Sequence, residues 1–582
     1  MDVTQFFKAP SGPASMKRKM AAEPSDAALK RLRNDEDNDN DEFNGDEDDD
    51  RFMHGDGLTE AHRNLLDIVD SAEEAPATID LPTLKRYVLK LEKSITRNEE
   101  MRVRYPDDPL KFIDSEADLD EDLHNLMGVS AAPELYPNLV SLGTVSSLMA
   151  LLEHPNADIA IATIQVLSEL TDEDVVAEAS EEGEEGMKAL VADLMGHQIL
   201  DVLVQSFSRL DEFKDGTDDK QGVFNILSVV ENLISVDPTI AEKVVSSTTL
   251  LTWLLSRIGM KQFDSNRQYA SELLAILLQT SRENRLKLAN LGGITSLLKA
   301  ISIYRKRDPK EADEVEMMEN FFDALCLALA EPEVKTTFLE EEGVELMIIV
   351  LRERKLSRMR ALKVLTHSMT GEGGAACSNR FIDALGLKTL FPIFMHKGLK
   401  AYKKAYKSHS DSEEDEHVLS ILASLFKTST PENRLRLCIK FSENEFEKVE
   451  RLLELHEQYQ ARVHAADMQF ERDRIAREEA GGYDGDEEVD AADMRYLNRL
   501  DKGLFTLQLV DLVAGYLCTQ ASEDLVREHM AFLLNRKGKD FDLFIKVLEE
   551  YAENTGDATS ETNSERALIL TVVEKLQIIS SS

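Results

Sequence analysis

The hydrophobic pattern of residues 142–171 predicts two helices separated by a short break. Four apolar residues recur at the i, i+3, i+4, i+7 spacing of one helical face, and they are Val145, Leu148, Met149 and Leu152. Pro155 then interrupts the pattern, and the Asn156 side chain is suited to cap a second helix. That helix has its own apolar stripe, formed by Ala160, Ile164 and Leu167. Two helices with one apolar face each have to be buried against similar neighbours.

The opening of this segment recurs along the chain, with a small residue ahead of an apolar helical stripe. Its copies begin near Gly196, Ser247, Gly293, Gly343 and Gly386. Their spacing is at or above the period of about 40 to 47 residues of armadillo and HEAT repeats. The pattern therefore predicts an all-α, armadillo/HEAT-type superhelical solenoid whose stacked repeats leave a long concave surface. Polar insertions at 211–220, 304–314 and 397–416 are expected to be loops.

The two ends of the chain lack this repeat pattern. Residues 1–60 show no helical periodicity and are predicted to be a disordered tail, whereas 61–141 is predicted to form N-terminal capping helices. The repeats are assigned to 142–427, and a C-terminal helical region of different packing is assigned to 428–582. Within that region, 443–479 has the pattern of one long charged helix, which either pairs with another helix or, as we favour, packs back on the solenoid.

The chain carries a large negative charge, with 110 acidic and 67 basic residues and a net charge of −43. Residues 1–60 contribute only −8, so most of the charge belongs to the helical body. A surface of this sign repels phosphate backbones, which argues against direct binding of nucleic acid and favours basic polypeptide partners. Each acidic stretch also has the simpler interpretation of keeping a long helical surface in solution.

Two basic clusters in the tail predict import into the nucleus. The clusters are Lys17, Arg18, Lys19 and Lys30, Arg31, Arg33, separated by ten residues. This is the arrangement of a bipartite nuclear-import signal, in which two groups of cations bind an importin while the linker loops out. A chance pair of basic clusters in a charged tail is the alternative. We expect a nuclear protein that uses an importin for its own import.

No pattern in the sequence indicates catalysis, a cofactor or a metal. HExxH, GxSxG and GxxxxGK[ST] motifs are absent, and the four cysteines have no CxxC spacing. No apolar run approaches the length of about 18 residues that predicts a membrane span. We expect a non-enzyme without cofactor, metal or membrane. Ser408, Ser410 and Ser412 precede the run EEDE, which is typical of casein-kinase-type sites and equally of a solvated loop.

The last helix of each armadillo unit lines the concave surface, so its polar residues are candidates for partner contact. Alignment of VLSELT, VVENLI, VLTHSM and ILASLF matches Glu169, Asn232, His367 and Ser424. Three acidic residues flank the same helices and would add negative potential, namely Glu231, Glu319 and Asp323. Importin-α-type receptors regularly have Asn at this position and Trp one turn earlier, whereas the only Trp here, Trp253, lies in a middle helix. The ladder of a transport receptor is therefore absent.

Six segments together resemble the beta-catenin-like protein 1 family. They are YPDDPLKFIDSEADLDEDL, FDSNRQYASELLAILLQTSRENR, EMMENFFDALC, SRMRALKVLTHSMTG, RFIDALGLKTLFPIFM and YAENTGD. The likeness runs in matching order from Asp67 to Ala552 and follows a basic-then-acidic tail. It implies a nuclear armadillo-repeat protein associated with the spliceosome through the Prp-nineteen complex, which contributes to pre-mRNA splicing without catalysis. It also implies binding to basic import-signal segments of splicing-factor proteins, and self-association into a homo-oligomer.

Three roles remain open on the sequence. A scaffold would bind basic segments of partner proteins on the acidic solenoid. A nuclear transport receptor or adaptor of the importin-α type would carry cargo, and an acidic chaperone for basic nuclear proteins would act through the acidic tract 35–50. Removing the tail would abolish a chaperone and spare a groove-binding scaffold, which is the role we favour. If 17–33 itself folds onto the groove, deleting 1–60 would raise partner affinity.

Overall fold

The structure is a computed structural model that describes residues 79–581 apart from 178–179, 215, 480–487, 521–523 and 556–559. Within these residues every regular element is a helix, with no β-strand among them, so the all-α prediction is confirmed. The chain forms two compact units, and the division falls between Ile240 and Ala241. This division lies inside the block assigned to the repeats, whose predicted boundaries stay a prediction. The two basic clusters lie outside the described residues.

The first unit begins, in its described part, with the helices that precede the repeats. Its helices are α1 (Leu81–Arg104), α2 (Ile113–Met127), α3 (Tyr136–Ser141), α4 (Thr144–Leu152), α5 (Ala157–Leu170), α6 (Glu173–Ala177), α7 (Glu181–Gly196), α8 (Ile199–Ser206) and α9 (Asp219–Val236). Short 3-10 helices cover Pro109–Lys111, Gly128–Ala131 and Pro133–Leu135. The predicted pair is α4 and α5, whose predicted apolar stripes are all buried. Asn156 caps α5 as predicted, accepting a hydrogen bond from the Asp158 backbone N–H at 3.0 Å.

The second unit contains the remaining helices, the first of which starts at the junction. They are α10 (Ile240–Ser247), α11 (Leu250–Ile258), α12 (Ser265–Gln279), α13 (Arg282–Asn290), α14 (Gly293–Ser302), α15 (Ala312–Ala328), α16 (Pro332–Glu340), α17 (Gly343–Glu353), α18 (Arg358–Met369), α19 (Gly374–Asp383), α20 (Gly386–Phe394), α21 (Leu399–Ala405), α22 (Asp411–Thr428), α23 (Pro431–Ser442), α24 (Glu447–Glu479), α25 (Glu488–Asp501), α26 (Leu504–Thr519), α27 (Asp524–Arg536), α28 (Asp542–Glu553) and α29 (Ser560–Ser580). A 3-10 helix, Ile303–Arg305, follows α14.

A two-residue corner joins the first and second helices of each repeat. It occurs between α3 and α4, α7 and α8, α10 and α11, α13 and α14, α16 and α17, and α19 and α20. In five of these corners the second residue has a left-handed backbone, and these residues are Gly143, Gln198, Gly292, Glu342 and Leu385. Thr249 at the remaining corner keeps φ at −95°. The corner geometry therefore recurs although its sequence changes.

Glycine is required just after two of these corners, where a second helix begins. A Cβ on Gly343 would overlap the ring of Phe338, and a Cβ on Gly386 would overlap the ring of Phe381. Both phenylalanines belong to the preceding first helix and are fully buried. The glycine lets the two helices close over the ring, which explains why a glycine opens these copies of the repeat.

The third helices follow after connections of varied length and pack side by side. In the first unit they are α2, α5 and α9, and in the second they are α12, α15, α18, α22 and α26. We call the surface that they form in each unit the third-helix face. The predicted insertions 211–220, 304–314 and 397–416 all fall between a second and a third helix. The last is more ordered than a loop: it contains α21 and the start of α22, which Ser410 caps by accepting from the Glu413 N–H.

The long charged helix predicted over 443–479 is present as α24, and it packs on α23, α25, α26 and α27. The centre of this group of helices is α26, an apolar helix that is buried along most of its length. His456 of α24 and Asp511 of α26 meet in this interior, with Nδ1 and Oδ1 2.6 Å apart. The C-terminal helices therefore share a core around α26, and a separately packed C-terminal region over 428–582 stays a prediction.

Candidate functional site

Three helices of the third-helix face in the second unit, α15, α18 and α22, carry a polar stripe. On α15 the stripe has i, i+3, i+4, i+7 spacing and consists of the half-buried Glu316, Glu319, Asn320 and Asp323. The opposite side of α15 is fully buried and holds Met317, Phe321 and Phe322. The stripe on α18 is Arg360, Lys363 and His367, and that on α22 is Glu413, Glu416 and His417. Because the helices lie side by side, the stripes meet across the helix boundaries.

Arg360 connects three helices on this face. Its guanidinium donates to Glu319 of α15 at 2.8 Å and lies 3.6 Å from Glu413 of α22. Burial alone would lower the pKa of Arg360, but Glu319 and Glu413 raise it above its ordinary value. The three side chains remain between 30 and 43% exposed, so these ion pairs are open to solvent.

Lys363 forms a further ion pair with α15, one turn further along α18. Its ammonium group donates to Asp323 of α15 at 2.7 Å. Burial opposes the charged form, but Asp323 helps to hold the pKa of Lys363 above its ordinary value. The two acidic residues proposed from the sequence on α15, Glu319 and Asp323, are therefore both paired with cations of the neighbouring third helix.

Two histidines next to these cations are neutral at physiological pH. Burial, with the charges of Lys363 and Lys335, lowers the pKa of His367 to about 4. Burial, with the charges of neighbouring basic groups, also lowers the pKa of His417 to about 3. The stripe cations on α18 are thus Arg360 and Lys363, without a contribution from His367.

A cleft of about 650 Å³ lies at the α22 end of this face. Its lining includes Glu413, Glu416, Arg462, Lys502 and Thr506. Thr506 donates to Glu416 at 3.4 Å, and Arg462 donates to Ser412 at 2.8 Å. Burial raises the pKa of Glu416 while the hydroxyl of Thr506 opposes the shift. Because a hydroxyl does not neutralise a carboxylate, Glu416 would gain from a nearby cation.

Carboxylates outnumber cations on these stripes of the second unit. The acidic members are Glu316, Glu319, Asp323, Glu413 and Glu416, with Glu272 on the neighbouring α12, against the basic residues Arg360, Lys363 and Lys427. Glu316 accepts a hydrogen bond from Gln268 of α12 at 3.3 Å, and Asn320 donates to Ser271 at 3.3 Å. The face consequently has negative charge on both sides of α18.

The residues aligned from the sequence do not share one environment. Glu169 and Glu231 are half-buried on α5 and α9. Asn232 is only 1% exposed, and its amide donates to the Ser168 carbonyl and the Thr171 hydroxyl, both at 3.2 Å. Asn232 thereby ties α9 to α5, and Ser424 is buried within α22. Contact of these residues with a partner stays a prediction.

Comparison with known proteins agrees with this architecture. A family model described as "Catenin-beta-like, Arm-motif containing nuclear" matches residues 63–549. The chain belongs to this beta-catenin-like family. The armadillo class and the resemblance drawn from the sequence are thereby confirmed, and the family is a nuclear one.

Curated relatives extend the family assignment over most of the chain. Beta-catenin-like protein 1 of Rattus norvegicus is 41% identical over 498 residues, which cover 84% of this chain and 85% of the relative. The protein of the same name from Homo sapiens is 40% identical over 486 residues, covering 83% of each chain. A beta-catenin-like protein 1 homolog of Schizosaccharomyces pombe is 36% identical over 528 residues, covering 90% of this chain and 88% of the relative.

This beta-catenin-like chain differs from an importin-α-type ladder in the position of its tryptophan. Trp253 is half-buried on α11, a second helix, and so lies off the third-helix stripes.

Among the described residues, no group of three His, Cys, Asp or Glu side chains is arranged to hold a metal. In the same part of the chain, no single helix has the length and apolar composition for a membrane crossing, although two bent helix pairs do.

The sequence pattern was not used to identify the two cations that α18 contributes to the face. Arg360 and Lys363 lie three residues apart on α18, which is the spacing of residues on one helical face, and this spacing could have indicated a basic stripe.

The run that follows Ser412 also has a different role from the one its composition suggests. Glu414 pairs with the guanidinium of Arg358 in the interior, and Asp415 accepts from Tyr459 at 3.2 Å. These acidic side chains are used within the fold.

Proposed function

We propose that this chain is a non-catalytic nuclear scaffold that binds basic segments of splicing-factor proteins on its third-helix face. Through such contacts it would contribute to pre-mRNA splicing as part of the spliceosome-associated Prp-nineteen complex. The family assignment supports the nuclear armadillo part of this proposal. The splicing role and the partner class follow the resemblance drawn from the sequence.

The observation that carries the proposal is the excess of carboxylates on the third-helix face of the second unit. Among these carboxylates, Glu416 accepts a hydrogen bond from the uncharged donor Thr506. The neutral state of His367 removes a cation that would oppose a basic partner. A Lys/Arg-rich segment would be steered to this face by the net charge of −43 and held by local carboxylates.

The alternative of an importin-α-type transport receptor is less well supported, because Trp253 lies on a second helix. The acidic chaperone hypothesis depends on 35–50, which lies outside the described residues. Removing residues 1–60 remains the experiment that separates the chaperone from the scaffold.

The proposal is tested by reversing charge on the face in the full chain. Tagged wild type, Glu316→Lys/Glu416→Lys and Glu340→Lys/Glu341→Lys would each be used to recover partners from nuclear extract, with quantification by mass spectrometry. The last variant makes the same charge change at exposed positions of the α16–α17 corner. We expect splicing factors with wild type and the corner variant, and their loss with the face variant. Equal recovery by all three, or recovery of pore components and diverse cargo alone, would contradict the proposal.

A further inference from the structure

Three connections of the second unit, each between a second and a third helix, meet at one place. They are 303–311 before α15, 354–357 before α18 and 395–410 before α22. Asp308 of the first connection joins all three, because its carboxylate lies 3.4 Å from the Lys355 ammonium group and accepts a hydrogen bond from the Tyr406 hydroxyl at 2.9 Å. Lys355 and Tyr406 are 47 and 98 residues away from Asp308 in the sequence. The fold therefore brings these connections together.

Two further contacts fix the position of α21, which lies within the third connection. The hydroxyl of the buried Tyr402 on α21 donates to the Lys355 carbonyl at 3.0 Å. Gly398, just before α21, has a left-handed backbone, and a Cβ at this position would lie 2.5 Å from a guanidinium nitrogen of Arg354. The glycine thus allows the start of α21 to approach Arg354 closely. Both contacts hold α21 beside the end of α17.

The three connections and the adjoining helix ends carry a group of cations that we call the basic patch. Its members are Arg305, Lys306, Lys310, Arg352, Arg354, Lys400, Lys404 and Lys407, all of them exposed. Neighbouring cations are paired, as Arg307 is with Glu314 and Lys397 is with Glu447. By contrast, none of the eight members forms an ion pair with another residue that the structure describes. Cations without a carboxylate partner keep their attraction for an incoming anion.

The basic patch contrasts with a chain whose net charge is −43. A long polyanion such as nucleic acid would extend beyond the patch and be repelled by the surrounding negative charge. Single-stranded nucleic acid is also bound by stacking on exposed aromatic rings. The tyrosines of these connections are not available for stacking, since Tyr304 and Tyr402 are buried and the Tyr406 hydroxyl is held by Asp308. A short acidic stretch of polypeptide fits the patch better.

We propose that the basic patch is a second docking surface, which binds a short Asp/Glu-rich segment of a partner protein. Its ammonium and guanidinium groups would form charge-assisted hydrogen bonds with the carboxylates of that segment. None of its members lies on a third helix. The patch is therefore separate from the third-helix face, and the inference does not depend on the proposed function. A chain with both surfaces would recognise basic and acidic segments at different places.

Fluorescence anisotropy with the full-length protein and two labelled probes would test this proposal. One probe is a peptide of eight glutamates flanked by Gly and Ser, and the other is a uridine oligoribonucleotide of eight nucleotides. The comparison with wild type uses the variants Lys400→Gln/Lys404→Gln/Lys407→Gln, Arg305→Gln/Lys306→Gln and Lys388→Gln/Lys546→Gln/Lys575→Gln. The first two variants remove patch cations from different connections. The third is a control that removes exposed lysines from α20, α28 and α29.

We expect the acidic peptide to bind wild type and the control variant equally. Each patch variant should bind it about fivefold more weakly or worse, because both connections face one ligand. Added salt should weaken the binding. No binding to wild type, an unchanged Kd in either patch variant, or tighter binding of the RNA than of the peptide would overturn the inference. Binding that appears only after deletion of residues 1–60 would also overturn it, by assigning the patch to the acidic tract 35–50 of this chain.

Discussion

Two arginines on α18 form ion pairs with adjacent glutamates of α22, yet they occupy opposite environments. Arg358 and Glu414 are 4% and 1% exposed and lie in the interior, where Arg358 also stacks on the Tyr402 ring at 4.7 Å. Arg360 and Glu413 are 30% and 43% exposed and lie on the third-helix face. Because Arg358 and Arg360 are two residues apart on a helix, their side chains point to opposite sides, one into the interior and one onto the third-helix face.

The difference shows that the burial of an ion pair decides how much it contributes to the stability of this fold. Burial raises the pKa of Glu414 even though Arg358 opposes that shift, so the interior pair depends on both partners being present. The pair on the face is solvated, can exchange partners and contributes little to stability. Residues of the same type on the same two helices thus hold the repeats together in one case and lie open to solvent on the third-helix face in the other.

The largest expected effect is on the interior pair. Arg358→Met should lower the free energy of unfolding by about 3–5 kcal/mol, because Glu414 would be left buried without its cation. Arg360→Met, on the same helix, should lower it by less than about 1 kcal/mol. Urea unfolding followed by circular dichroism would measure both. Equal losses would break the distinction between the two pairs.

The histidines beside the face cations should make the fold sensitive to acid. The folded pKa of His367 is lowered to about 4 and that of His417 to about 3, so between pH 6.5 and 4 the unfolded chain binds protons that the folded chain does not. Stability should therefore fall as pH drops through this range, by about 2 kcal/mol per histidine at pH 5. His367→Gln/His417→Gln should flatten the dependence measured by urea unfolding. An unchanged slope would place the neutral histidines in doubt.

A smaller effect is expected from the two carboxylates that share Arg360. Glu319→Gln or Glu413→Gln alone should cost about 0.5 kcal/mol or less, because Arg360 keeps the other partner. The double variant should lose more than the sum of the single losses, by a few tenths of a kcal/mol. A double-mutant cycle in urea would detect this coupling. Strict additivity would mean that only one of the two carboxylates interacts with Arg360.

The smallest expected effect is the weakening of the exposed ion pair by added salt. In 1 M NaCl the Debye length falls to about 3 Å, so the coupling energy between Arg360 and Glu319 should decrease by a few tenths of a kcal/mol. The coupling between Arg358 and Glu414 should stay within error, since both side chains are excluded from solvent. Double-mutant cycles for each of the two pairs, run in urea at low and high salt, provide the measurement. Equal screening of the two pairs would show that both are accessible to ions.

Local pattern was sufficient to predict much of the fold. The spacing of Val145, Leu148 and Leu152 predicted a buried helical face, and all three are fully buried. Asn156 was recognised as a cap because capping depends on residues only a few positions apart. These predictions succeed because the interactions that decide them are local.

The face could be predicted only in part, because its contacts join helices from different repeats. Arg360 and Glu319 are 41 residues apart, and the connections between second and third helices vary in length, so a repeat period does not give their register. The alignment of Glu169, Asn232, His367 and Ser424 also treated helix ends as equivalent. These residues lie at different distances from the ends of their helices, and Asn232 is turned into the interior.

The two-residue corners have a consequence for how this chain tolerates insertions and deletions. One residue added at the Glu341–Glu342 corner would rotate α17 by about 100° and carry Gly343 away from the Phe338 ring. The connections between second and third helices already differ in length, and one of them holds α21. Changes in chain length are therefore accommodated next to the third helices while the corners keep one length. A fluorophore or affinity tag inserted for labelling belongs in those connections.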